Sequence, residues 1–100
     1  MRRKRIPGEG SVTEQVLSEA NASGVSFLLT ELEMALTFLV IAQTSDRADS
    51  VRRNQENALA GYRTVQQFLP KVKPDVAQRQ EIHEKLAILK GRLLKAGYRV

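Results

Sequence analysis

The stretch VSFLLTELEMALTFLVIAQ, residues 25–43, decides the fold because it carries apolar side chains around most of a helix. At about 100° per residue, leucines and alanines spaced three and four apart fill one face. Phe27, Met34, Phe38 and Ile41 extend the apolar surface further round. Only a strip with Thr30, Glu33, Thr37 and Thr44 remains polar. Two amphipathic neighbours would not cover so wide a surface, so the stretch predicts a core helix with a spare apolar face.

Helical patterns occupy the rest of the chain, and no alternating strand pattern competes with them. A Ser-x-x-Glu capping box at Ser11 predicts a short helix over 12–21, and NASG, residues 21–24, is expected to end it. Prolines and Gly97 set the later boundaries. We therefore expect an all-α protein, an antiparallel three-helix bundle over 26–44, 47–69 and 75–96. The extra short N-terminal helix over 12–21 precedes it, and the single domain spans 11–100 after a flexible basic arm over 1–10.

Two ways of covering the spare face are open. The helix over 12–21 can fold back onto it, or the face can meet its own copy in a homodimer, and both can hold together. A third occupant is an amphipathic helix or peptide of another protein. The candidate protein-interaction residues are Phe27, Met34, Phe38 and Ile41.

Charge is distributed unevenly along the chain. Residues 1–10 carry a net +3, residues 11–50 a net −5 and residues 51–100 a net +7. Basic arms bind phosphates through counterion release, so Arg2, Arg3, Lys4 and Arg5 are candidate nucleic-acid contacts, helped by the basic C-terminal half. A solvated tail without a specific role is the competing interpretation. Nucleic-acid association is therefore the alternative function.

The inventory of reactive side chains argues against an enzyme. The chain has no cysteine and a single histidine, His83, so we expect no disulfide, no metal site, no cofactor and no catalytic residue. Glu31 falls within apolar surface, where a carboxylate of raised pKa is one interpretation. An ion pair with a neighbouring helix, or an edge position, explains it more simply. Helix capping explains Asp46 and Asp49 better than a cation site does, and no small-molecule substrate is evident.

The apolar stretch is also about long enough to cross a bilayer. Glu31 and Glu33 interrupt it, and each would cost on the order of 2 to 3 kcal/mol near a bilayer centre. The basic opening MRRKRIPGEG has no apolar segment directly behind it, so it does not resemble a secretory signal. We therefore expect a buried helix and a cytoplasmic protein without a membrane partner.

The helix over 47–69 carries a family resemblance. Ala58, Tyr62, Val65 and Pro70 have a small–aromatic–small–proline spacing that resembles the second helix of a tetratricopeptide repeat. With its ALAGY segment, the core also resembles the three-helix microtubule-interacting-and-transport domain. The whole chain looks like small uncharacterised bacterial helical proteins with RRNQENA and FLPKV segments. The resemblance implies a groove that binds a peptide or helix, no catalysis, and packing roles for Ala58 and Tyr62.

Overall fold

The computed structural model describes residues 9–100, with side chains from Thr13 onward. Three α-helices account for most of this part: α1 (Glu9–Thr44), α2 (Ala48–Phe68) and α3 (Val76–Lys95), with a single 3₁₀ turn at Leu69–Lys71 between α2 and α3. No strand occurs in the described range. The all-α expectation is confirmed, and α2 and α3 begin and end within about one residue of the ranges predicted for them.

The separate helix predicted over 12–21 is wrong, because α1 continues unbroken through Asn21–Gly24. Asn21 is held by tertiary contacts: its Nδ2 donates to the Lys73 carbonyl at 3.0 Å, and its Oδ1 accepts from the Lys73 amide at 2.6 Å. Gly24 leaves room for Val72, whose Cγ1 would lie 2.6 Å from an added Cβ. Asn21 and Gly24, which disfavour a helix by propensity, are kept in α1 here by their contacts with the loop between α2 and α3.

The N-terminus of α1 also differs from the prediction. Ser11, the expected cap, lies inside α1, which begins at Glu9. Residues 9 and 10 of the predicted basic arm belong to this helix. Residues 1–8, with Arg2, Arg3, Lys4 and Arg5, lie outside the described residues.

The core is built from helical residues three, four and seven apart. Buried side chains come from all three helices: Val25, Leu28, Leu32, Ala35, Leu39 and Ala42 of α1, Ala58, Tyr62 and Val65 of α2, and Ile82, Leu89 and Leu93 of α3. Each large one contributes roughly 1.5 to 3 kcal/mol on burial. Ala58 and Tyr62 are therefore packing residues.

Small residues set the approach of α1 to α2. A Cβ built on Gly61 would lie 3.1 Å from the Cβ of Ala35 and 3.5 Å from the Glu31 carbonyl oxygen. The close helix approach offsets the roughly 1 kcal/mol that a glycine costs inside a helix. A Cβ on Gly91 of α3 would meet no atom of a neighbouring element within 4 Å, so no such contact compensates this glycine.

The ends of α3 follow their sequence signals. Asp75 caps its N-terminus by accepting from the Gln78 amide at 2.7 Å, and the Gln78 side chain accepts from the Asp75 amide at 2.9 Å. This capping box satisfies two amides at the helix start. Gly97 follows the last turn with φ of +97°, a conformation that costs glycine little and other residues more.

Candidate helix-docking surface

Three of the four candidate interaction residues on α1 point into solvent, and the fourth lies against the core. Phe27, Met34 and Ile41 are 46%, 47% and 42% exposed. Phe38 is partly buried and packs against the core cluster. We call the surface formed by these four residues the outer face of α1. About half of the surface of Phe27, Met34 and Ile41 is therefore open to solvent.

The outer face belongs to a longer heptad pattern that the wheel analysis missed. Residues three and four apart in strict alternation form a seam: Leu17, Ala20, Gly24, Phe27, Glu31, Met34, Phe38 and Ile41. Such alternation averages 3.5 residues per repeat, the spacing that keeps a helix in contact with a second helix. The signal was present in the sequence, but the expected break at NASG hid its first half.

Threonines beside the outer face are less polar than their residue type suggests. Thr37 donates its hydroxyl to the Glu33 carbonyl at 2.9 Å, and Thr44 donates to the Val40 and Ile41 carbonyls at 3.2 and 3.1 Å. Hydroxyls bonded back into their own helix do not compete for a partner. Thr30, Glu33, Met34, Thr37 and Phe38 together line a shallow open concavity.

An aromatic contact extends the apolar surface from α1 onto α2. The Phe27 and Phe68 rings meet edge to face, with centroids 6.4 Å apart and planes at 89°. The Lys71 ammonium lies 4.7 Å from the Phe68 ring centroid, within reach of a cation–π interaction. Phe68 is itself exposed. It is a surface residue that sequence analysis did not select, because it lies next to Phe27 only in the folded chain.

An ion-pair network ties α3 to one edge of α1. Lys85 donates to Glu33 at 2.5 Å and to Glu81 at 2.7 Å. The hydrogen bond from Lys85 lowers the pKa of Glu33, and the two carboxylates raise the pKa of Lys85. The network is largely exposed to solvent, so it contributes little to stability.

Glu31 lies in the middle of the seam and has no hydrogen-bond or ion-pair partner among the described residues. Of the two simpler interpretations of Glu31, the ion pair is formed by Glu33 instead, and the edge position agrees with the partial exposure of Glu31. Glu31 is only partly exposed, and its Oε2 lies 3.7 Å from the position of a Cβ on Gly61. The seam thus presents one unpaired carboxylate between Phe27 and Met34.

The first turns of α1 extend past the other helices. Residues 13–20 are all exposed, including the large apolar side chains of Val16 and Leu17. An isolated helical segment this short is marginal in water. It does not fold back onto the outer face, so that way of covering the face is wrong.

The remaining candidate residues are not gathered into a site. His83 is exposed on α3, and Asp49 pairs with Arg47 at 3.4 Å. No cluster of three or more potential metal ligands occurs among the described residues. One helical stretch, Thr13–Thr44, is long and apolar enough to cross a membrane, and one third of its most apolar window is buried. Length and composition are its only support, and the core helix of a soluble protein also satisfies them.

Comparisons with protein-family models, curated proteins and solved structures found no match. The resemblance to tetratricopeptide repeats and to microtubule-interacting-and-transport domains is therefore untested and stays a prediction.

Proposed function

We propose that this chain is a non-catalytic helical interaction module that docks an amphipathic helix on the outer face of α1. The exposed apolar side chains of the outer face are the observation that supports it. Docking would bury the exposed halves of Phe27, Met34 and Ile41, each contributing on the order of 1 kcal/mol. The docked helix belongs either to a second copy, in a homodimer, or to another protein.

The frame for this function is an antiparallel three-helix bundle. Pairs of contacts run in opposite directions along α1 and α2, from Phe27 with Phe68 to Ala35 with Gly61. The three-residue connection between the two helices also favours antiparallel neighbours. In this frame the outer face is the side of α1 opposite the shared core.

The module would work in the cytoplasm. Glu33 is ion-paired with Lys85 on the edge of α1, and Glu31 is a second carboxylate in the apolar stretch. Both would be unfavourable in a bilayer core. The test is fractionation of cells that express the full chain, in which recovery with the membrane pellet after a carbonate wash would contradict this placement.

Matched charge insertions test the docking proposal. Met34→Glu places a charge on the outer face, whereas Ile88→Glu places it on α3 at 48% exposure, close to the 47% of Met34. Self-association is followed by light scattering and peptide docking by anisotropy with a labelled four-heptad leucine helix. Binding of either kind should largely survive about 0.5 M salt, be lost in Met34→Glu and be retained in Ile88→Glu. A wild-type chain that neither self-associates nor binds the peptide would refute the proposal.

Nucleic-acid association remains the second candidate. Among the basic residues between 51 and 100, ion pairs in the described structure involve Lys85 alone. Apart from Lys71, which lies over the Phe68 ring, the other cations of this half are available to phosphates, and Arg2, Arg3, Lys4 and Arg5 are the further contacts proposed from the sequence. Anisotropy with a labelled DNA duplex tests this function, because affinity should fall by about one power of salt concentration per phosphate contact. An affinity for the duplex that does not change with salt concentration, or no binding at low salt, would exclude nucleic-acid association.

A further inference from the structure

Glu31 specifies what the seam can accept. It lies between Phe27 and Met34, is only partly exposed, and has no partner among the described residues. A helix docked along the seam would remove water from this carboxylate. A charge desolvated without a partner is costly, whereas a close opposite charge across an interface is favourable. The occupant therefore needs a cation at this level.

A second copy of α1 does not supply that cation. Between Glu9 and Thr44 the chain has five glutamates and neither lysine nor arginine. In a parallel pair Glu31 would meet Glu31. In an antiparallel pair of α1 helices that meet along the central part of the seam, Glu31 would lie opposite Met34 or Phe27 of the second copy. Each arrangement buries the carboxylate against a like charge or an apolar side chain.

Two cations next to the outer face are engaged elsewhere. Lys85 donates to Glu33 and Glu81, and Lys71 lies over the Phe68 ring. The flanks of the seam do not neutralise Glu31 either, because α1 has only acidic charged residues. The surface that a partner meets is a line of apolar side chains with one acidic residue, Glu31, about halfway along it.

We propose that the occupant is an amphipathic helix of another protein that carries a lysine or arginine within its own apolar stripe, opposite Glu31. This inference rests on the proposed function. A single polar residue inside a seam fixes register and partner choice at some cost in affinity. Glu31 is in this sense the specificity residue of the surface, and Phe27, Met34 and Ile41 provide the apolar contact.

Two synthetic peptides test the pairing. Both are four-heptad helices with leucine at the seam positions, and they differ in one central residue, lysine in the first and glutamate in the second. The lysine peptide should bind the full chain at least about tenfold more tightly. Glu31→Gln should remove most of the difference, and Glu31→Lys should reverse the preference. Far-ultraviolet circular dichroism melts verify that each variant is folded.

The outcomes distinguish a failure of the charge pairing from a failure of the proposed helix docking. Equal binding of both peptides, abolished by Met34→Glu, would overturn the charge pairing and leave helix docking standing. A wild-type dimer that binds neither peptide and is tightened by Glu31→Gln would identify a second copy as the occupant and overturn the inference. Lysine-peptide binding unaffected by Met34→Glu would reveal non-specific electrostatics and overturn both proposals.

Discussion

Gly24 is the residue whose substitution tests the path of α1 most sharply. A Cβ at this position would lie 2.6 Å from Cγ1 of Val72, about 1 Å inside the 3.5 to 4.0 Å of an ordinary carbon contact. Val72 is β-branched and packs against the core, so it cannot turn aside easily. Overpacking of this kind costs typically about 1 to 3 kcal/mol.

Gly91 provides the matched control. Both glycines lie inside helices, so replacement by alanine brings each the same propensity gain of about 1 kcal/mol. A methyl group on Gly91 meets nothing within 4 Å. We expect Gly91→Ala to stabilise the fold by about 1 kcal/mol, and Gly24→Ala to lie about 1 to 3 kcal/mol below it. In a domain of this size, each kcal/mol shifts Tm by about 4 to 8 °C.

The assay is urea unfolding of the two variants and the wild type, followed by circular dichroism at equal protein concentration. Val72→Ala, made alone and in the Gly24→Ala background, completes a double-mutant cycle, and a coupling of about 1 kcal/mol or more should appear. If Gly24→Ala stabilises the chain as much as Gly91→Ala, the packing of α1 against the loop is refuted. The continuity of α1 through residues 21–24 would then lose its explanation.

Three further substitutions test other contacts. Asn21→Ala should destabilise the fold by about 0.5 to 1.5 kcal/mol, because it removes the two exposed hydrogen bonds to the Lys73 amide and carbonyl, and urea unfolding that shows no change would exclude that contact. Glu33→Gln should flatten the acid dependence of stability: the Lys85 pair lowers the pKa of Glu33 from 4.5, so its contribution is present above pH 4.5 and is lost as pH falls through the lowered value. Because the pair is largely exposed, the difference is small; thermal melts across this window check its direction, and a steeper loss of stability with acid in the variant than in the wild type would contradict it. Asp75→Ala should cost about 1 kcal/mol through the lost cap of α3, and an unchanged urea midpoint would argue against the capping box.

Much of α2 and α3 could be predicted from the sequence because their signals are local. The apolar stripes, the prolines and the terminator Gly97 act within a few residues of where they stand, and the structure agrees with them. These elements needed no knowledge of distant neighbours.

The segment over residues 21–24 was mispredicted because its determinants are distant. Asn21 and Gly24 disfavour a helix by propensity, and their partners Lys73 and Val72 lie about fifty residues further along the chain. Tertiary contact overrides local preference here. No pattern within the segment reveals this, although the seam that continues through it was a usable signal.

The candidate surface was predictable in part. Its apolar residues follow from the wheel, and the structure places Phe27, Met34 and Ile41 in solvent. The contribution of Phe68 and the choice of Glu33 over Glu31 as the partner of Lys85 depend on how the helices are set against each other. Sequence spacing on one helix does not determine those relations.

The most direct test of the account is a methyl NMR titration of the full chain with the lysine peptide. The Met34 and Ile41 methyl signals should shift and saturate together, while those of Ile88 on α3 and the buried Ile82 should stay in place. Such a pattern would locate the docked helix on the outer face of α1. Shifts centred on Ile88, or no methyl shifts at saturating peptide, would contradict the claim that α1 is the docking surface.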